Sequence, residues 1–190
     1  ILKKNNCTVD MWKTGHSHIK KRVREIGALC GFEKSGHFFI NNPLGLGFDD
    51  GLKSACLMLQ YLSNDLTTKL SNKKLEITKT FQSPTMAPYC EDSEKYKVVD
   101  SIIKKISDTK ENGEKVGKQN IKKITTINGI RFELSNGSWG LVRASSNKPS
   151  LVIVIESYES NNEVELIFNY INELLDQTGK VGEYDQTLTG

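Results

Sequence analysis

Between Ile121 and Ile155 the chain passes through two Asn-Gly dipeptides, Asn128-Gly129 and Asn136-Gly137, each set between short runs of apolar and β-branched residues. Asn-Gly takes up the left-handed backbone of a tight hairpin at little cost. The spacing therefore predicts strands over 121–127, 130–134 and 139–143, joined in antiparallel order. Leu151-Val152-Ile153-Val154-Ile155, within 150–157, is the most strand-like run in the sequence and supplies a fourth. Helical periodicity brackets these strands. Val98, Val99, Ile102, Ile103 and Ile106 mark one face of a helix over 92–106, and Val164, Leu166, Ile167, Tyr170, Ile171 and Leu174 mark another over 163–175. Helix, four strands, helix reads as an α+β domain over 91–178, its antiparallel sheet covered on one face. The stretch 179–190 lacks apolar periodicity and is expected to be a flexible tail.

The first half has a different texture. Ile19, Val23 and Ile26 recur at helical spacing, with Ser17 or Thr14 as N-cap and Gly27 as stop. Gly31 to His37 reads as a loop and Phe38-Phe39-Ile40 as a short buried strand. Asp49 or Asp50 caps a helix from Gly51 to about Leu62, with Leu52, Ala55, Cys56, Leu59 and Leu62 along one side. Leu75 to Phe81 alternates like a strand. Residues 1–82 thus read as a partial α/β domain, a mixed sheet with helices, and 83–90, which holds Pro84 and Pro88, as a linker.

Composition narrows the classes. The 190 residues are 37% hydrophobic, enough for a packed core, and the net charge of +3 gives little footing for nucleic acid. No apolar run approaches the roughly 20 residues that cross a bilayer. No signal-peptide pattern opens the sequence. Cys7, Cys30, Cys56 and Cys90 are scattered, with no Cys-x-x-Cys pair for zinc, and read as buried free thiols. A soluble cytoplasmic protein is expected, with no nucleic-acid and no membrane partner.

Two loops concentrate chemistry. Arg143-Ala144-Ser145-Ser146-Asn147-Lys148-Pro149 places a guanidinium fork, two hydroxyls, an amide and an ammonium on one short connection. Such converging donors suit a phosphate; the alternative is a polar hairpin with a solvated arginine. Glu33-Lys34-Ser35-Gly36-His37 offers a carboxylate and a hydroxyl for sugar hydroxyls, a glycine for close approach and a histidine, the residue type suited to moving a proton near neutral pH. The alternative is a surface turn. His16 follows a glycine at a helix start, where backbone N–H groups favour anions. Asp49-Asp50 reads as helix capping rather than a metal site, and Lys20 to Arg24 as a solvated helix face, so no metal ligands are assigned.

Taken together and in order, Lys13-Thr14-Gly15-His16-Ser17, Gly27-Ala28-Leu29, Glu33-Lys34-Ser35-Gly36-His37, Gly47-Phe48-Asp49-Asp50-Gly51, Asn128-Gly129-Ile130-Arg131 and Gly137-Ser138-Trp139-Gly140-Leu141-Val142-Arg143-Ala144-Ser145 resemble the C-terminal part of the α-D-phosphohexomutases, in their bacterial phosphomannomutase/phosphoglucomutase branch. The resemblance runs from about Met11 to Leu175. It implies the end of domain 3, an α/β domain, followed by domain 4, an α+β domain of the TATA-binding-protein-like type. It further implies interconversion of hexose 1-phosphate and hexose 6-phosphate, of mannose or glucose, through a phosphoserine, with Mg²⁺ and a hexose 1,6-bisphosphate intermediate.

Residue by residue, the resemblance gives Glu33, Lys34, Ser35 and Gly36 to the sugar-binding loop. His16 and His37 become the catalytic, proton-handling candidates. Arg143, Ala144, Ser145, Ser146 and Asn147 fall on the loop that holds the non-reacting phosphate. The family's loop usually reads Arg-x-Ser-Asn-Thr; here the donors come in altered order and Lys148 adds a cation. Lys34 stands where the family often carries Met or another uncharged residue. No Ser-His-Asn-Pro phosphoserine loop and no Asp-Gly-Asp-Gly-Asp metal loop occur in this sequence. Both are implied to lie in earlier domains of the same protein. The chain alone is therefore expected to be inactive, with its first 81 residues less stable than the second half or paired with another copy. The alternative is a non-catalytic module that binds sugar phosphates or other anions.

Overall fold

The structure, a computed structural model, describes residues 2–64 and 69–188, and the chain forms two compact units, Ile1–Thr78 and Lys79–Gly190.

In the first unit, a 3-10 turn over Leu2–Asn5 precedes helix α1 (His16–Glu25). Strands β1 (Cys30–Phe32) and β2 (Phe38–Ile40) follow as an antiparallel hairpin in register Cys30↔Ile40, Gly31↔Phe39, Phe32↔Phe38. Helices α2 (Gly51–Ser63) and α3 (Leu70–Leu75) complete it. Gly31, expected in a loop, lies in β1 because α1 crosses it closely. A Cβ there would come within 2.6 Å of an Ile19 methyl and 2.8 Å of a Val23 methyl. The expected cap of α1 also changes: Gly15 holds the N-cap position, without a side-chain bond. Asp50 caps α2 as anticipated, accepting from the Lys53 amide at 2.9 Å. The strand expected over 75–81 is replaced by the end of α3, a turn and an irregular passage. Leu75 and Ile77 alternate but stay exposed, and pairing begins only at Phe81.

The second unit begins with β3 (Phe81–Gln82) and α4 (Lys95–Glu111). Then come β4 (Lys115–Val116), β5 (Gln119–Thr125), β6 (Ile130–Leu134), β7 (Trp139–Ala144), β8 (Leu151–Ser157) and α5 (Asn161–Asp176). The antiparallel sheet has the order β3-β8-β7-β6-β5-β4. The four long strands are the expected ones; two-residue strands extend each edge. Strict alternation on β8 buries Leu151, Ile153, Ile155 and Ser157. With Phe132, Leu134 and Val142 these meet Ile102 and Ile106 of α4 and Ile167 and Ile171 of α5 in one core. Glu163, in the first turn of α5, points inward and is buried. It accepts from Ser138 at 2.6 Å and Asn136 at 2.7 Å, and from Ser157, so the β6–β7 turn, the end of β8 and α5 share one satisfied carboxylate.

Three expectations about organisation are corrected. The segment 83–90 is no free linker, because its backbone is spent on β8: the Ser83 amide donates to Ile155 O and Met86 exchanges bonds with Ile153. Met86 and Cys90 are core residues. Residues 79–82, assigned to the first domain, belong to the second unit through β3. The tail 179–188 is docked: Gly182 donates to Tyr89 O, Tyr89 donates to Glu183 O, and the Tyr184 hydroxyl donates to Asn172. Thr189 and Gly190, also assigned to that tail, lie outside the described residues. The cysteines are free, but only Cys90 is buried; Cys30 is half-buried and Cys7 and Cys56 are exposed.

Candidate functional site

In the first unit, Glu33 to His37 forms the turn that closes the β1–β2 hairpin. The Glu33 amide donates to His37 O and the Gly36 amide to Glu33 O, each at 3.0 Å. Gly36 has φ 91°, a conformation that glycine adopts without the Cβ penalty. Two side-chain links then draw distant segments to this turn. Glu33 Oε1 accepts from the Gly15 amide at 2.7 Å, which ties the turn to the start of α1, where His16 is the first helical residue. His37 Nδ1 lies 2.6 Å from Asp49 Oδ2, which ties it to the approach to α2. The stretches 14–17, 33–37 and 47–51, separate in sequence, thereby converge. Lys34, Ser35, Gly36, His16 and His37 are all exposed.

This arrangement leaves Glu33 able to accept further hydrogen bonds, since a carboxylate has about four acceptor positions and one is committed to Gly15. The adjacent carboxylates Asp49 and Asp50 have different tasks. Asp50 caps α2, while Asp49 holds the imidazole of His37 in place through its Nδ1 edge. Burial pushes the Cys30 thiol above its ordinary pKa.

In the second unit, Arg143 is half-buried near the end of β7, and its Nη1 donates to Ala144 O at 3.1 Å. Ala144 still pairs with Leu151. The loop beyond is closed by Ser145 N–H to Ser150 O at 2.9 Å and Ser150 N–H to Lys148 O at 2.8 Å. Ser146, Asn147 and Lys148 form its exposed tip. Gly129 of the first Asn-Gly turn presses on the same place. A Cβ at Gly129 would lie 2.3 Å from Val142 O and 2.6 Å from Arg143 Cα, so a side chain there would displace the backbone that carries Arg143. Beneath the loop lies Lys95, 5% exposed, whose ammonium donates to Asp92 Oδ1 at 2.6 Å, Ser145 O at 2.7 Å and Lys148 O at 3.1 Å. The side chains of this loop are of the donor types that charge-assisted anion binding uses.

Sequence reasoning missed three of these features. Asp49 reads from the sequence as a helix cap rather than a metal ligand, and its place next to His37 depends on the turn over 41–47. The Gly15–Glu33 link joins a backbone N–H to a carboxylate 18 positions away and leaves no sequence signal. Lys95 carries a faint one: it stands one position before Tyr96 and three before Val98, at the edge of the apolar stripe. Among the described residues, no group of His, Cys, Asp and Glu could hold a metal ion, and no helix is long and apolar enough to cross a membrane. Among the described residues, then, none is assigned as an Mg²⁺ ligand.

Comparison with known proteins extends over both units. The family model described as "Phosphoglucomutase/phosphomannomutase, alpha/beta/alpha domain III" matches residues 1–81, and that described as "Phosphoglucomutase/phosphomannomutase, C-terminal domain" matches residues 89–174. A phosphomannomutase/phosphoglucomutase of Pseudomonas putida is 36% identical over 158 residues, covering 82% of this chain and 30% of that protein. A phosphoglucomutase of Neisseria meningitidis is 31% identical over 176 residues, covering 92% of this chain and 35% of that protein. The chain thus spans about a third of the length of the curated relatives it matches. The crystal structure of a phosphoglucomutase/phosphomannomutase family protein from Burkholderia thailandensis superposes with a TM-score of 0.75 at 24% identity, covering 95% of this chain and 36% of that one, a likeness of fold. Two consecutive domains of a single family, matched in order and covering nearly the whole sequence, make the assignment: the chain belongs to the phosphoglucomutase/phosphomannomutase family.

Proposed function

We propose that this chain is the substrate-recognition half of a phosphohexomutase that interconverts hexose 1-phosphate and hexose 6-phosphate, of glucose or mannose. The observation that carries the proposal is the loop after Arg143, a hydrogen-bonded cluster of donors between the two strands β7 and β8. In this reading Arg143 grips the non-reacting phosphate with its planar fork, and Ser145, Ser146 and Asn147 add neutral donors. Ala144 keeps the approach unobstructed. Glu33 and Ser35 hold ring hydroxyls, Gly36 lets the sugar approach the backbone, and Lys34 adds a cation at the rim. His37, oriented by Asp49, and His16 are the groups that hold or move a proton.

The physical case rests on what the reaction requires. A bisphosphorylated sugar must present each end in turn to the phosphoserine. A fixed phosphate anchor, combined with a grip on hydroxyls shared by both poses, permits that reorientation. Phosphoryl transfer itself depends mainly on positioning and charge neutralisation. The phosphoserine, the Mg²⁺ and its ligands are assigned to the remainder of a longer cytoplasmic protein. The chain by itself is then a binder that does not turn over substrate.

The test is a titration of the isotopically labelled chain with glucose 6-phosphate, glucose and inorganic phosphate, following backbone amides. Glucose 6-phosphate should shift amides of 145–148 and 33–37 together, and inorganic phosphate should shift only 145–148. Arg143→Ala should weaken phosphate binding at least tenfold, the scale of one lost charge-assisted pair of about 1.5–3 kcal/mol. An absence of shifts in both loops at millimolar sugar phosphate would remove the reading. Measurable mutase turnover by this chain alone would refute the division of labour.

A further inference from the structure

Lys95 is a buried ammonium with all three N–H donors placed, two of them on carbonyls of the 143–149 loop. A lysine is almost never buried unless its charge is paired, and here the pairing partner, Asp92, occupies only one donor. The other two reach across the unit from the first residue of α4 to Ser145 and Lys148. We infer that Lys95 is a positioning residue for the phosphate loop: by pulling the Ser145 and Lys148 carbonyls inward it turns the Ser146 amide N–H outward, as an anion donor beside Arg143. The inference rests on the phosphate-binding reading of that loop.

The geometry follows from peptide planarity. The only cis peptide in the chain's described residues is Asn42-Pro43, so the Ser145–Ser146 peptide is trans. In a trans peptide the C=O and N–H point in opposite directions. With Ser145 O held 2.7 Å from the ammonium, the Ser146 N–H faces away from it. Among the described residues that N–H has no acceptor, and Ser146 is exposed. The Lys148 carbonyl makes the complementary case. It precedes Pro149, whose nitrogen has no N–H, so this peptide offers an anion only a repelling oxygen. Lys95 and the Ser150 amide both hold that oxygen, at 3.1 Å and 2.8 Å. Two acceptors are thus withdrawn from the anion's side and one donor is aimed at it. The buried charge also polarises both carbonyls, which strengthens the outward amide dipole.

The test compares Lys95→Met, which keeps the aliphatic stem, with Lys95→Arg, which keeps the donors, in the full chain. Backbone ¹⁵N relaxation of the unliganded protein reads the loop directly. Residues 145–148 should be rigid in the unmodified chain, with order parameters near about 0.85, and should fall below about 0.6 in Lys95→Met. The β6–β8 amides should not change, and Lys95→Arg should restore the loop. Inorganic phosphate should bind Lys95→Met about tenfold more weakly, and the Ser146 amide should lose its phosphate-induced shift. By contrast Arg143→Ala should weaken binding while leaving the loop ordered. A loop that stays ordered in a folded Lys95→Met overturns the inference. So does a Ser146 amide that phosphate leaves unmoved in the unmodified chain while the rest of the loop responds. If Lys95→Met does not fold, couplings across the hydrogen bonds from Lys95 Nζ to the Ser145 and Lys148 carbonyls decide the matter in the unmodified chain, and their absence overturns it. If neither sugar phosphate nor inorganic phosphate binds and yet the loop loosens in Lys95→Met, the phosphate reading falls and loop positioning by Lys95 stands.

Discussion

Two amphipathic helices in this chain show the same apolar pattern and meet different fates. In the second unit α4 buries Val98, Val99, Ile102 and Ile106 against the sheet. In the first unit α2 carries Leu52, Ala55, Cys56, Leu59 and Leu62 on one side and has no buried residue; Leu52 is 77% exposed and Leu59 66%. The difference is in the partner surface. β5, β6 and β7 give α4 a broad sheet face, while the hairpin of the first unit has three residues per strand. Among the described residues, the buried apolar side chains of that unit are Val23, Phe39 and Ile40. A helical stripe is half of a contact. Periodicity says that a face prefers burial, and the supply of facing surface decides whether burial occurs.

The largest consequence is a gap in stability between the units. Amides of β6, β7 and β8 should exchange with solvent only through global unfolding, whereas amides of β1, β2 and α2 should open locally. Hydrogen exchange should separate them by several orders of magnitude, on the order of 10³ for a gap of about 4 kcal/mol. Equal protection in both units would break the comparison, since it would mean that α2 is covered in solution.

Side-chain truncation sharpens the same point. Ile153 is fully buried in the core, so Ile153→Ala should cost about 2–5 kcal/mol in urea unfolding of the second unit. Leu59→Ala on the exposed side of α2 should stay within about 0.5 kcal/mol. A Leu59→Ala penalty as large as that of Ile153→Ala would show that its stripe is packed after all.

The units also differ in how far the sequence spoke for them. The four long strands and two helices of the second unit were legible because period and turn chemistry agree there: Asn-Gly at each of two hairpins, and alternation on β8 without a break. What failed to show were the ends. Segments 83–90 and 179–188 have no periodicity of their own, since their order comes from hydrogen bonds to β8 and to each other. In the first unit, α1, β2 and α2 were legible from spacing. Strand β1 was not, because its Gly31 reads as a loop until Ile19 and Val23 are seen against it. At the candidate site the residue types were readable, but not their partners. Glu33 with Gly15, His37 with Asp49 and Lys95 with the loop carbonyls are all long-range pairings that only the chain's path creates.

One substitution made in both units compares how each absorbs strain. At Gly140 a Cβ would sit 2.6 Å and 2.7 Å from the ring of Phe132 and 3.1 Å from Ile171 Cδ1, all within the closed core. Gly140→Ala should therefore cost about 1–3 kcal/mol, as overpacking does where neighbours cannot move. At Gly31 the clash is with methyls of Ile19 and Val23 on α1, a helix with a single buried residue. Gly31→Ala should cost less, because α1 can shift outward, and that shift should appear as amide changes along α1. A larger penalty at Gly31 than at Gly140 would mean that the first unit is the more rigid.

The smallest effect asks whether the docked tail belongs to the closed unit. Tyr184 is half-buried, its hydroxyl donates to Asn172 at 2.8 Å, and its ring meets Phe168 edge-on. Burial, with a smaller contribution from the Asp176 carboxylate, pushes its pKa up from 10.0 to about 12. A folded pKa above the unfolded value means that the docked tail binds its proton more tightly than the released one does. The contribution of Tyr184 is complete below the unfolded pKa of 10.0 and is lost as pH rises toward about 12. In that window the tail should detach, and exchange at Gly182 N–H, which donates to Tyr89 O, should accelerate before the β-sheet amides respond. Tyr184→Phe should lose about 0.5–1.5 kcal/mol of tail docking at neutral pH, the worth of one hydrogen bond, and should remove this step from the pH profile. If the phenolate absorbance assigned by that difference instead rises at the ordinary tyrosine pKa, the ring is solvated. The tail then frays, and the core of the second unit ends at α5.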